Sequence, residues 1–286
     1  MNMAKYGLSS LTWISPFSNA DFGLLQKASD MGFDVFEICV EDFDALDDWA
    51  GLKKAAHDAQ ISVPLCGAFG PDRDVSADEA DIRKNGVAYL KTLIDMASEL
   101  EEPYVFGPMY SAVGKTRRLT PEQKAQQTKW ALENIGECAA YAKPKGIMLG
   151  VEPLNRFETD FMNTADQAVE FVNALNMDNV GFYFDTFHMN IEEKSIPNAL
   201  RKAGSRLIGL HSCGNDRGTP GEDESTNWQG IKKACEEISF EGPFVIESFT
   251  PDCIEMAKAA SIWRNLAESP EVLARDGLKF LKSVFG

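Results

Sequence analysis

The chain has 286 residues, 44% hydrophobic and 25% charged, with 28 Lys and Arg against 44 Asp and Glu for a formal charge of −16. That composition excludes a disordered, collagen-like or low-complexity chain, and the acidic balance argues against gripping nucleic-acid phosphates, which needs a basic face. No apolar run approaches the roughly 18 residues of a membrane span, and no basic segment precedes an apolar stretch at the N-terminus, so a cytoplasmic protein without membrane or nucleic-acid partners is expected.

In chain order, short β-branched or aromatic runs occur at Tyr6–Leu11, Val35–Val40, Ser62–Cys66, Tyr104–Pro108, Ile147–Glu152, Val180–Asp185, Leu207–Ser212 and Phe244–Glu247. They are nearly continuous apolar stretches, as strands covered on both faces should be. Helical spacing fills the gaps; in Thr164–Leu175 the residues Ala168, Val169, Val172 and Leu175 fall on one face. Ser76…Glu79, Thr120…Gln123 and Thr164…Gln167 have the Ser/Thr-x-x-Glu/Gln pattern of a capped helix start. Gly32, Gly146 and Gly242 precede strands, where a helix C-cap or tight turn is wanted. The last helix is expected to fill Glu255 to the C-terminus. Eight strands and eight helical segments divide the chain into units of about 36 residues, which predicts an α/β fold, a single-domain (β/α)8 TIM barrel over residues 1–286. An open doubly wound sheet is the rival, but no G-x-G-x-x-G follows the first strand and no G-x-x-x-x-G-K-[ST] occurs. Six cysteines (Cys39, Cys66, Cys138, Cys213, Cys235 and Cys253) form no C-x-x-C pair and read as free thiols in a reducing compartment.

In such a barrel the chemistry gathers at the C-terminal ends of the strands. The last four predicted strands end at or beside Glu152, Asp185, His211 and Glu247, spaced 33, 26 and 36 residues apart. Neighbouring strands lie about 4.8 Å apart, so these side chains can converge over the barrel mouth. Three ionised carboxylates that close repel one another. A divalent cation resolves the conflict, and three oxygen donors with one imidazole suit Mn²⁺, Mg²⁺ or Co²⁺. Singly, each acid more often caps a helix or pairs with an arginine. As a group, the alternative is a buried salt-bridge network, but no cation is evident at a neighbouring strand end to balance it. Of three histidines, His188 and His211 fall in this region, while His57 lies in the helical stretch Leu52–Ala59 and is expected at its solvated surface.

The strings Glu152-Pro-Leu-Asn-Arg-Phe-Glu158 and Asp185-Thr-Phe-His188-Met-Asn-Ile-Glu192-Glu193, with His211 and Glu247-Ser-Phe249, resemble the ketose 3-epimerase family. That family includes the D-tagatose and D-psicose 3-epimerases among the xylose-isomerase-like sugar isomerases and epimerases, and the resemblance spans essentially the whole chain. It implies Glu152, Asp185, His211 and Glu247 as ligands of a divalent metal, Mn²⁺ foremost, with Co²⁺ or Mg²⁺ as alternatives. It implies Glu152 and Glu247 as the acid/base pair on opposite faces of the sugar, and Glu158, His188 and Arg217 around its O1–O3 end. Trp13 and Cys66 resemble substrate-contacting positions on the first and third strands, and Phe249 closes the pocket near the far end. The resemblance also implies a homodimer or homotetramer acting on a small-molecule sugar.

The stretch after strand four departs from the family, reading Tyr110-Ser111-Ala112-Val113-Gly114-Lys115-Thr116-Arg117-Arg118, small and then basic. Lys115, Arg117 and Arg118 could reach a phosphate or carboxylate or form a solvated loop. The strand-eight exit reads Glu247-Ser248-Phe249 where Glu-Pro-Phe is common. The chemistry expected is C3 epimerisation through a cis-enediolate, one carboxylate taking the proton and the other returning it. The rivals are an aldose–ketose isomerase of hydroxypyruvate or inosose type, a lyase on 3-keto sugars or glycosides, and a non-catalytic sugar- or metal-binding barrel; fold alone does not choose among them.

Overall fold

A computed structural model describes residues 4–286. Its strands are β1 (Tyr6–Ser9), β2 (Val35–Val40), β3 (Leu65–Gly67), β4 (Tyr104–Gly107), β5 (Met148–Val151), β6 (Val180–Asp185), β7 (Leu207–His211) and β8 (Phe244–Ile246). They pair in parallel and in chain order, with β8 closing on β1, which makes the (β/α)8 TIM barrel that the sequence predicts. Around it lie α1 (Gly23–Met31), α2 (Trp49–Ala59), α3 (Ala80–Leu100), α4 (Pro121–Ala142), α5 (Ala165–Leu175), α6 (Thr186–Glu192), α7 (Ile196–Ala203), α8 (Trp228–Glu237), α9 (Ile254–Ala259) and α10 (Pro270–Phe285). Among the described residues no helix is long and apolar enough to cross a membrane.

The local start signals work where the side chain reaches its own helix. Thr120 with Gln123 and Thr164 with Gln167 form reciprocal capping boxes on α4 and α5. Ser76 does not: its N–H and hydroxyl both donate to Asp74, each at 2.8 Å, and α3 begins later at Ala80. Gly32 and Gly146 take the left-handed conformation expected of a cap. Gly242 instead permits a close backbone approach, since a Cβ there would fall 2.2 Å from the Ile208 carbonyl oxygen. The expected single C-terminal helix is two, because Ser269 caps a fresh start at Pro270 that the Ser-Pro-Glu string encodes.

The inner layer at the C-terminal end of the barrel gathers Leu11, Cys39, Cys66, Phe106, Tyr183 and Val245. Phe106 and Tyr183 stack with ring centroids 3.7 Å apart. Two glycines make room for that stack: a Cβ on Gly209 would fall 2.0 Å from the Tyr183 ring, and one on Gly150 would fall 2.8 Å from Phe106. The pairing of β6 with β7 skips Ile208, which sets Tyr183 directly opposite Gly209. Gly209→Ala should therefore push the ring out of the stack and lower stability by about 1–3 kcal/mol, read from urea unfolding.

Candidate metal centre and substrate site

Asp185 and His211 are the last residues of β6 and β7 and stand in register. Glu152 and Glu247 lie one residue beyond β5 and β8. Each of the four offers a donor atom within 4.8 Å of the others, and all four are buried. The Nδ1 of His211 lies 3.0 Å from Glu152, 3.4 Å from Glu247 and 4.0 Å from Asp185. Donors on opposite sides of a small dication stand about 4.2 Å apart, from bond lengths near 2.1 Å. The spacing and the oxygen-and-imidazole donor set thus fit a divalent metal.

The charges pull hard on one another. Burial, reinforced by Glu152 and Asp185, pushes Glu247 up to about 8 against the pull of His211 and Arg217. For Asp185 burial also acts upward, but the charges of Arg217, His188 and His211 win and hold it down at about 2. Burial disfavours the His211 imidazolium, yet Glu247, Glu37 and Glu152 outweigh it and raise this group well above its ordinary value.

Arg217 corrects one expectation. The sequence shows no balancing cation at a neighbouring strand end, but Arg217 reaches in from the loop after β7 and pairs with Asp185 and with Glu247, the latter at 2.9 Å. Its backbone is left-handed, with φ of 71°. The Ser248 hydroxyl donates to its carbonyl oxygen at 2.6 Å, and its guanidinium lies 4.4 Å and 5.0 Å from the Phe187 and Phe249 ring centroids. A basic residue so placed in a sequence reads as loop until the chain folds back.

His188 stands beside it, with Nε2 3.2 Å from the guanidinium and 3.6 Å from Asp185. Its Nδ1 accepts from the Asn155 backbone N–H, and burial, helped by Arg217, lowers its pKa, so the ring stays neutral. Glu158 is half-buried at the rim and accepts from the Asn155 side chain at 2.7 Å. Phe249 and Cys66 belong to the apolar cluster over the barrel mouth. Trp13 is half-buried just past the short turn that follows β1, stacked on Phe36, with an indole N–H that has no partner among the described residues.

The basic stretch after β4 points elsewhere. Lys115 pairs with Asp74 and Ser76, Arg117 pairs with Asp160 at 3.0 Å, and Arg118 is exposed. His57 sits on the exposed face of α2, as expected. Glu37, which strand-end spacing does not single out, lies fully buried within β2 and binds His211 from the side away from the other carboxylates. Its signal was a lone charge inside an apolar run, Val35-Phe36-Glu37-Ile38.

Residues 25–284 match the family of xylose isomerase-like TIM barrels. The chain is 32% identical over 281 residues to a probable ketose 3-epimerase of Synechocystis, covering 98% of this chain and 96% of that one. It is 30% identical over 292 residues to the D-psicose 3-epimerase of Agrobacterium fabrum, covering 99% of each. Among solved structures, D-allulose 3-epimerase from Methylomonas in complex with D-allulose superposes with a TM-score of 0.91 at 27% identity, over 99% of this chain and 98% of that one. The chain belongs to the xylose isomerase-like TIM barrel family, within its ketose 3-epimerase group, and is an isomerase.

A raised folded-state pKa means that the folded protein holds its proton more tightly than the unfolded chain, so the stability it contributes is lost as pH rises through the folded value. Glu247 and His211 both act in this sense. Protein stripped by a chelator should melt at progressively lower temperature between about pH 5 and pH 8.5. Added Mn²⁺ should restore more of the melting temperature at the upper end, read by differential scanning fluorimetry.

Proposed function

We propose that this chain epimerises an unphosphorylated ketose of the D-tagatose, D-psicose or D-fructose type at C3, working as one barrel domain over residues 1–286. The observation that carries this reading is the placement of Glu152 and Glu247. They come from β5 and β8, on either side of Asp185 and His211, and both approach the same imidazole nitrogen from different strands. A divalent cation held by Glu152, Asp185, His211 and Glu247, Mn²⁺ foremost with Co²⁺ or Mg²⁺ as alternatives, would polarise the ketone and its neighbouring hydroxyl and lower the energy of an enediolate.

One glutamate removes the C3 proton and the other returns a proton to the opposite face, which inverts that carbon. The roles exchange when the reaction runs backwards. Arg217 and His188 hold O1 and O2, with Glu158 aligned at that end through Asn155. Trp13, Cys66 and Phe249 form the wall against the far end of the sugar. Lys115 and Arg117 are engaged by Asp74 and Asp160, which favours the unphosphorylated substrate, and of the three basic residues after β4 Arg118 alone has no acidic partner among the described residues. We place the protein in the cytoplasm as a homodimer or homotetramer; Phe157 and Trp263, each 74% exposed, are apolar groups that a second copy could cover.

Incubation with D-fructose or D-tagatose and Mn²⁺ in D₂O should yield the C3 epimer with deuterium at C3 by NMR. Deuterium at C1 would instead mean an aldose–ketose isomerase, and irreversible loss of a leaving group from a 3-keto glycoside would mean a lyase. Glu152→Gln and Glu247→Gln should each lower kcat by about 10²- to 10⁴-fold while circular dichroism stays unchanged.

A further inference from the structure

Glu37 is fully buried in β2, among Val35, Phe36 and Ile38, where a carboxylate is costly unless partnered. It has two partners from the far side of the barrel. The Nε2 of His211 lies 2.8 Å from one carboxylate oxygen, and the Tyr183 hydroxyl donates to the other at 2.9 Å. We propose that Glu37 is a positioning residue for the metal site: it accepts the Nε2 proton of His211 and so leaves Nδ1 as the electron pair aimed at Glu152, Asp185 and Glu247.

Both ring nitrogens face a carboxylate, Nε2 that of Glu37 at 2.8 Å and Nδ1 that of Glu152 at 3.0 Å, so either neutral tautomer sets one lone pair against an oxygen. A dication between Nδ1 and Glu152 would remove that repulsion only for the tautomer whose proton Glu37 holds. Fixing the tautomer and the ring plane from behind is what raises the affinity of a histidine for its metal. Tyr183 keeps Glu37 in place, and Tyr183 is itself held by its stack on Phe106 and by the space that Gly209 leaves. The inference rests on the metal reading of the four strand ends but not on the identity of the sugar.

The test uses the full chain with Co²⁺ alone as probe and no sugar, by titration calorimetry and by proton NMR of the Co²⁺ form, in which the imidazole N–H is shifted by the paramagnetic ion. Glu37→Gln should weaken Co²⁺ binding by about 10- to 100-fold and speed exchange of that N–H with solvent. Tyr183→Phe should move both readouts in the same direction by less. Parental affinity and parental N–H exchange in Glu37→Gln would overturn the proposal, even if the variant melted earlier, since that pattern is purely structural. Should Glu37→Gln fail to fold, the same parental pattern in folded Tyr183→Phe would overturn it. A parent protein that binds no Co²⁺ would overturn the metal reading as well, whereas parental binding with indifferent variants overturns the role of Glu37 alone.

Discussion

Mutual repulsion among buried carboxylates governs the C-terminal end of this barrel. Glu152, Asp185 and Glu247 converge where little water reaches, with Glu37 behind them on the far side of His211. Such a group survives folding only if its charge is neutralised, by cations or by protonation of the kind to which Glu247 is pushed. Arg217 supplies part of the positive charge, joined by a protonated His211 while no metal is bound; a dication at the four strand ends would take the place of the His211 Nδ1 proton. The loop after β7 accepts a left-handed backbone at a non-glycine residue to bring Arg217 in, a strain of the kind that concentrates at functional sites.

The strand-end residues were legible in the sequence because a parallel barrel converts chain order into spatial order. Each β–α unit advances one strand, so an acid, an acid, a histidine and an acid about one unit apart must end up side by side. Glu37 was not legible by that logic. It meets His211 across 174 residues of sequence and across the barrel interior, and its own strand offers no periodic clue to a partner on β7. The family resemblance marks Arg217 as a substrate contact, but its pairing with Asp185 and Glu247 depends on how a loop folds back, which strand periodicity does not carry.

The helix boundaries divide in the same way. Thr120 and Thr164 are followed by a glutamine that completes a bond within the same turn, so the sequence suffices. Ser76 has an equally good downstream partner on paper, yet Asp74 is nearer and takes its hydrogen bonds first. Asp185 shows that a structural and a chemical role can coexist: one carboxylate oxygen caps α6 by accepting from the Phe187 N–H at 2.7 Å, while the other faces Arg217 and His211. The sequence offers helix capping and membership of the charged cluster as alternatives for such an acid, and here one residue does both.

The barrel mouth is chemically divided. Strands β5 to β8 bring the four candidate metal ligands, while Leu11, Cys39, Cys66 and Phe106, from the segments at β1 to β4, join Tyr183, Val245 and Phe249 in an apolar cluster, and Glu37 of β2 is a buried charge on the other half. In the proposed reaction a sugar bound across this divide would meet the buried acids with its carbonyl end and carbon and sulfur atoms with its tail. A charged tail would lose its hydration against that cluster, where Lys115 and Arg117 are already held by Asp74 and Asp160. The proposed reaction draws on this asymmetry, since the buried acids that would exchange a proton with the sugar stand at one half of the mouth and the apolar cluster lies beside them.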